Sequence, residues 1–179
     1  MAEILELEKH RRKLAAKKGF LAWARRFAEP FGGETCLKDL SDKTLEVLIR
    51  GGEESTMLLY DFIMGIKGLG GGPRFHHLEN NAKMAVMDVT LFLLDQLRFQ
   101  AMHRLGWIDD YPTFHIPLVE LADGASTRFA TLRGSVPQLF SGHPLYEEYK
   151  NAFEGDRSSV VRKLIPAAIV AFQDKTGNR

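Results

Sequence analysis

The sequence predicts an all-α protein: a single domain over 1–179 in which five to six helices bundle around one long central helix. Three observations predict it. Apolar residues recur at helical rather than alternating spacing through most of the chain. Capping residues and glycines bracket those stretches where helices should begin and end. Finally, MAVMDVTLFLL, from Met84 to Leu94, holds nine apolar side chains in eleven, the density of a helix enclosed by other helices.

The first helix is expected over about 3–29. Leu7, Leu14, Leu21 and Ala28 recur every seven residues, and Phe20, Ala24, Phe27 and Phe31 widen that stripe in its second half, so the stripe reads as the packed face. Pro30-Phe31-Gly32-Gly33 ends it. Ser41 then serves as N-cap, with Asp42 in the first turn, for a short helix that closes at Gly51-Gly52. Glu53, Glu54 and Ser55 open the next, where acids suit the positive end of the helix dipole. It runs through TMLLYDFIMGIKG and dissolves in glycines at Gly65, Gly68 and Gly70–Gly72.

The central helix is expected over about 78–105, closed by Gly106 at C′ with Arg104 in its last turn and Trp107 folding back. Its apolar run measures only about 16 Å by the standard rise, short of a bilayer. Asp109-Asp110-Tyr111-Pro112 breaks the chain. Over 113–138 the pattern weakens, and a small irregular segment, either a hairpin about Asp123-Gly124 or two short helical turns, remains open. Helix returns at Leu145–Glu154 and Ser158–Asp174, with Pro166 either kinking the last helix or marking its true start.

Composition excludes several function classes. The 24 basic and 23 acidic side chains leave a net charge of +1, unlike a dedicated nucleic-acid-binding domain. No apolar run is long enough to span a membrane, and MAEILELEKHRRKL lacks the apolar stretch of a secretory signal. One cysteine, Cys36, forms no internal bridge, which places the chain in a reducing, cytoplasmic compartment. The charge is uneven, however: residues 1–31 hold eight basic side chains against four acids, and six of the basic ones fall between Lys9 and Lys18. Such a basic amphipathic helix suits nucleic acid, an anionic membrane surface or an acidic partner; a solvated outer helix is the plainer reading.

Two acids stand out as candidate general acid–base groups. Asp88 sits inside the apolar run, and its helical neighbours Met84, Ala85, Leu91 and Phe92 offer no cation. Asp61 is similar, among Met57, Leu58, Met64 and Gly65. A buried, unpaired carboxylate is costly or takes up a proton, and acids with raised pKa are candidates for proton transfer. A structural reading competes. An antiparallel hairpin of the two helices about Gly70–Gly72 brings Asp61 near Lys83, and Asp88 near Thr56 and the amides of a helix start.

The loop 65–74 is the candidate anion site. Gly70, Gly71 and Gly72 expose backbone amides, and Arg74, His76 and His77 add donors and charge. The stretch matches neither G-x-x-x-x-G-K-[ST] nor G-x-G-x-x-G and follows a helix rather than a strand. Adjacent histidines on a helix point apart, and no H-x₃-H, H-E-x-x-H or E-x-x-H spacing occurs, so no metal site is expected. No cofactor is implied. The function expected is protein–protein interaction or self-association, as a homo-oligomer or with a protein partner, rather than catalysis. The alternative is a protein, binding or enzymatic, that holds phosphate or another anion with the glycine loop and the acids of the central helices.

Overall fold

In a computed structural model the described residues, 1–177, are all-α, with nine α-helices and no strand among them. In chain order these are α1 (Ala2–Gly19), α2 (Leu21–Phe27), α3 (Asp42–Ile49), α4 (Gly52–Ile66), α5 (Asn80–Arg104), α6 (Leu118–Gly124), α7 (Tyr146–Asn151), α8 (Glu154–Lys163) and α9 (Ile165–Thr176). Four short 3-10 turns connect them. Nine replaces the five to six expected because two predicted stretches divide and α6 forms in the segment left open. The first splits at Phe20, whose ψ of 1° departs from the helical value while Phe20 N–H still donates to Ala16 and Ala24 N–H to the Phe20 carbonyl. The last splits at Leu164, and Pro166 sits in the first turn of α9, where its missing N–H costs nothing.

The segment 113–138 forms no hairpin. It folds as a 3-10 turn (Pro112–His115), α6 and a second 3-10 turn (Ala130–Leu132). Its extended residues make only isolated bridges, Cys36 with Pro117 and, just outside the segment, Leu139 with Ile108. Elsewhere the boundary chemistry operates as read. Ser41 Oγ accepts the Thr44 N–H at 3.1 Å. Gly106, at φ 74°, turns α5 off so that Trp107 N–H returns to the Met102 carbonyl at 3.0 Å.

One hydrophobic cluster joins these helices, with Trp23, Phe62, Phe99, Phe114 and Phe172 among its fully buried side chains. α4 carries α1 and α2 on one side and α5 on another, while α5 also packs on α3, α6 and α9. Trp23 is the anchor of the N-terminal pair. Its indole N–H donates to the Leu58 carbonyl at 2.8 Å, and its ring lies against Phe20, Phe31 and Phe62. α1 reaches α4 through a glycine contact: a Cβ on Gly65 would lie 2.7 Å from the Lys18 carbonyl oxygen. Only residues without side chains allow so close an approach.

The central helix departs from expectation on one flank. Val86, Val89, Phe92, Leu93 and Leu97 are buried, but Met84, Met87 and Leu91 are 58%, 41% and 62% exposed. Full enclosure of the apolar run is therefore wrong: α3, α4, α6 and α9 pack on one side, and these three side chains on the other face water. Several buried polar groups of this core are hydrogen-bonded, while Gln100 Oε1 is left without a partner among the described residues. Thr90 donates back to the Val86 carbonyl, and the Thr113 hydroxyl donates to Gln96 Oε1 at 2.7 Å. Among the described residues, no helix is long and apolar enough to cross a membrane.

Candidate functional site

The residues that face outward from α1 and α2 define the most coherent surface feature. On a helix, side chains alternating three and four apart fall on one line. Ile4, Leu7, Arg11, Leu14, Lys18, Leu21 and Arg25 follow that alternation. The body-facing line is a different one, with Ala16, Gly19, Phe20, Trp23 and Phe27 buried. The seven-residue leucine stripe is thus not the packed face: Leu7, Leu14 and Leu21 are 70%, 49% and 52% exposed. The aromatic residues won the core because each buries far more apolar area than a leucine, and they lie on the opposite side of the helix.

Of the eight basic side chains in residues 1–31, two have an ion-pair partner among the described residues. Arg12, turned toward the body, pairs with Glu34 at 3.4 Å and Glu120 at 3.2 Å. Arg26 pairs with Glu54 at 2.5 Å. Arg11, Lys18 and Arg25, on the outward line, have no ion-pair partner among the described residues. Unpaired cations spaced along a leucine stripe give the face a positive, amphipathic character.

This line borders a cavity of about 500 Å³. Lys18, Leu21, Ala22 and Arg25 form one wall; Asp61, Gly65, Gly68, Gly70 and Gly71 form the other. The glycine loop and the basic helix, distant in sequence, therefore meet. Asp61 lines this cavity. Its Oδ1 accepts the Gly72 N–H at 2.5 Å, so it ties the loop to α4 instead of pairing with Lys83. After Gly71 the chain enters the 3-10 turn Gly72–His77, whose Phe75 stacks on Tyr60 with ring centroids 4.3 Å apart.

The other predicted anion ligands lie elsewhere. Arg74 folds over Gly70, and a Cβ there would meet its Cδ at 2.8 Å. His76 and His77 are exposed. None of the three lines the cavity. The cations that do, Lys18 and Arg25, come from the first two helices; the seven-residue stripe was the signal for them, read with the wrong side inward.

Asp88 is not buried. Its side chain is 48% exposed and faces Arg133 at 3.5 Å, with Asp95 and Gln96 around a smaller cavity of about 170 Å³. It does not meet Thr56 or the start of α4. Asp95 pairs with Arg162 at 2.8 Å. Cys36 is buried, and its Sγ donates to the Glu34 carbonyl; burial, then the nearby Asp39 carboxylate, pushes the thiol pKa up, away from nucleophilic character.

Sequence reasoning missed one polar pair. Across Pro112, the His115 imidazole lies 2.8 Å from Asp110, and this hydrogen bond is the main reason the Asp110 carboxyl titrates below its ordinary range. His103 is 4.0 Å away on the same carboxylate. The group sits on open surface, and among the described residues no cluster of three or more histidine, cysteine or acidic side chains is arranged to hold a metal. Comparison with known proteins returns no matching protein family, curated protein or solved structure.

Proposed function

We propose that this chain acts by protein–protein association rather than by catalysis, and that its working surface is the outward face of α1 and α2. The observation that carries this reading is the exposure of Leu7, Leu14 and Leu21 at one repeating position along α1 and α2, whose other side is buried from Ala16 to Phe27. Apolar side chains scattered singly on a surface are ordinary, but a line of them at helical repeat spacing is the pattern of a helix-in-groove or coiled-coil contact. The two acids considered for proton transfer support it from the other direction, because Asp61 holds Gly72 and Asp88 faces Arg133. A cytoplasmic setting is part of this proposal and fits the single unbridged cysteine.

A photo-crosslinking amino acid at position 14, compared with one at the exposed Val170 on α9, tests it in the source cell. A discrete protein adduct from position 14 alone, lost when Leu7 and Leu21 become glutamine, supports the proposal. Equal adducts from both positions, or adducts indifferent to the leucines, refute it.

The cavity favours a second reading, a small anion held between the glycine loop and the unpaired Lys18 and Arg25. Inorganic phosphate would then raise the melting temperature of the parent by mass action. Lys18→Ala with Arg25→Ala would abolish the rise, and Arg74→Ala would leave it intact. A phosphate effect that survives loss of both cations excludes this site.

A further inference from the structure

We propose that the occupant of the α1–α2 face is an acidic amphipathic helix carrying apolar side chains every seven residues. This rests on the association proposed above and adds the chemistry of the partner. Three features on the outward line select it.

On a heptad pattern the line alternates leucines with cations, so it departs from an ordinary apolar coiled-coil seam and calls for a partner that brings acids between its own apolar residues. In heptad terms Leu7, Leu14 and Leu21 occupy one core position throughout, and Ile4, Arg11, Lys18 and Arg25 the other. The helix breaks at Phe20, so Ile4, Leu7, Arg11, Leu14 and Lys18 form the line on α1, and Leu21 and Arg25 follow on α2. A partner helix with the same repeat would interleave with Leu7 and Leu14 along α1.

The charges choose its sign. Among the described residues, glutamates reach Arg12 and Arg26, one residue further round the helix, and none reaches Arg11, Lys18 or Arg25. A second copy of this face aligned in parallel would set those cations against their own counterparts, which is the arrangement that heterotypic seams use to reject self-pairing. Glutamates at the facing positions would satisfy them instead.

Charge borders the leucines: Glu6, His10, Lys13 and Lys17 beside them are all exposed, and so are Ile4 and Leu5 in the free first half of α1. Apolar side chains bordered by charge fit another helix, and phospholipid vesicles are the competing arm of the test below.

The test uses the full chain and three synthetic peptides, each of four heptads and labelled for fluorescence anisotropy. One has leucine at one core position and glutamate at the other, the second replaces glutamate with lysine, and the third keeps glutamate but replaces leucine with glutamine. The first should bind at least about tenfold more tightly than either of the others, and should weaken as salt rises because exposed charges are screened. Arg11→Glu with Lys18→Glu should invert the preference toward the lysine peptide, with the circular dichroism of the variant unchanged. Equal affinity for the glutamate and lysine peptides overturns the acidic partner while leaving association through the leucines standing. Binding of none of the peptides overturns both. Equal binding of the leucine-free peptide, or tighter binding of duplex DNA or of anionic phospholipid vesicles than of the acidic peptide, also overturns the inference.

Discussion

Replacing Gly65 by alanine tests how α1 is seated, and so which of its faces is left for a partner. Gly65 lies near the end of α4, where helix propensity alone would make alanine better by about 1 kcal/mol. Geometry opposes this. The new methyl would stand 2.7 Å from the Lys18 carbonyl oxygen and 2.8 Å from the Gly19 Cα, and both are backbone atoms that cannot rotate away. Overpacking of a fitted contact costs about 1–3 kcal/mol, and the upper part of that range applies where a whole helix must shift. The expected net effect is a loss of about 2 kcal/mol, read as a lower urea midpoint at unchanged slope. Gly155, in the first turn of α8, is the control, since a methyl added there would meet nothing within 4 Å. Alanine at that position should stabilise by a few tenths to about 1 kcal/mol. A Gly65→Ala protein as stable as Gly155→Ala would mean that α1 does not cross α4 at these glycines.

Three other predictions concern the candidate residues. Leu91→Gln should change unfolding free energy by no more than about 0.5 kcal/mol because that side chain faces water, whereas Leu97→Ala on the same helix, fully buried, should cost about 2–5 kcal/mol; similar losses from both would mean the flank is covered. Asp61→Ala removes the acceptor of the Gly72 N–H, and should speed hydrogen exchange at that amide and cost about 1–2 kcal/mol, the low end for a charge-assisted bond at a half-buried site; an amide that exchanges no faster in the variant would show that Asp61 does not hold the loop. His143, held below its ordinary pKa by burial, accepts the Leu145 N–H on Nδ1, so folding favours its neutral form. The unfolded chain takes up this proton first as pH falls, so stability should be lost from about pH 6.5 downward and that portion should vanish in His143→Gln; an unchanged pH profile in the variant would contradict it.

Helix class and most boundaries were legible in the sequence because they depend on near neighbours. Ser41 capping Thr44, Gly106 reversing α5 and Pro166 near the start of α9 are all settled within a few residues. The side of a helix that turns inward is settled by tertiary packing, and there periodicity misled twice. Leu7, Leu14 and Leu21 repeat as cleanly as any buried stripe, yet Trp23 and Phe27 on the far side pull α2 onto α4. Met84, Met87 and Leu91 belong to a run apolar on nearly every side, so the pattern could not identify the flank left uncovered. The weak signal over 113–138 had another origin: short helical turns hold too few residues to establish a period. Of the candidate site, the glycines of the loop and the basic segment were visible separately. Their meeting was not, since it depends on the Gly19–Gly65 crossing.

The most direct measurement is the mobility of a nitroxide spin label at position 14, attached through Leu14→Cys in a Cys36→Ala background. The free protein should give the narrow spectrum of a label in water, and the glutamate–leucine heptad peptide should broaden it to that of a label packed between helices. A label already immobilised in the free protein, or one that stays mobile when the peptide saturates, would contradict an open α1–α2 face built to receive a helix.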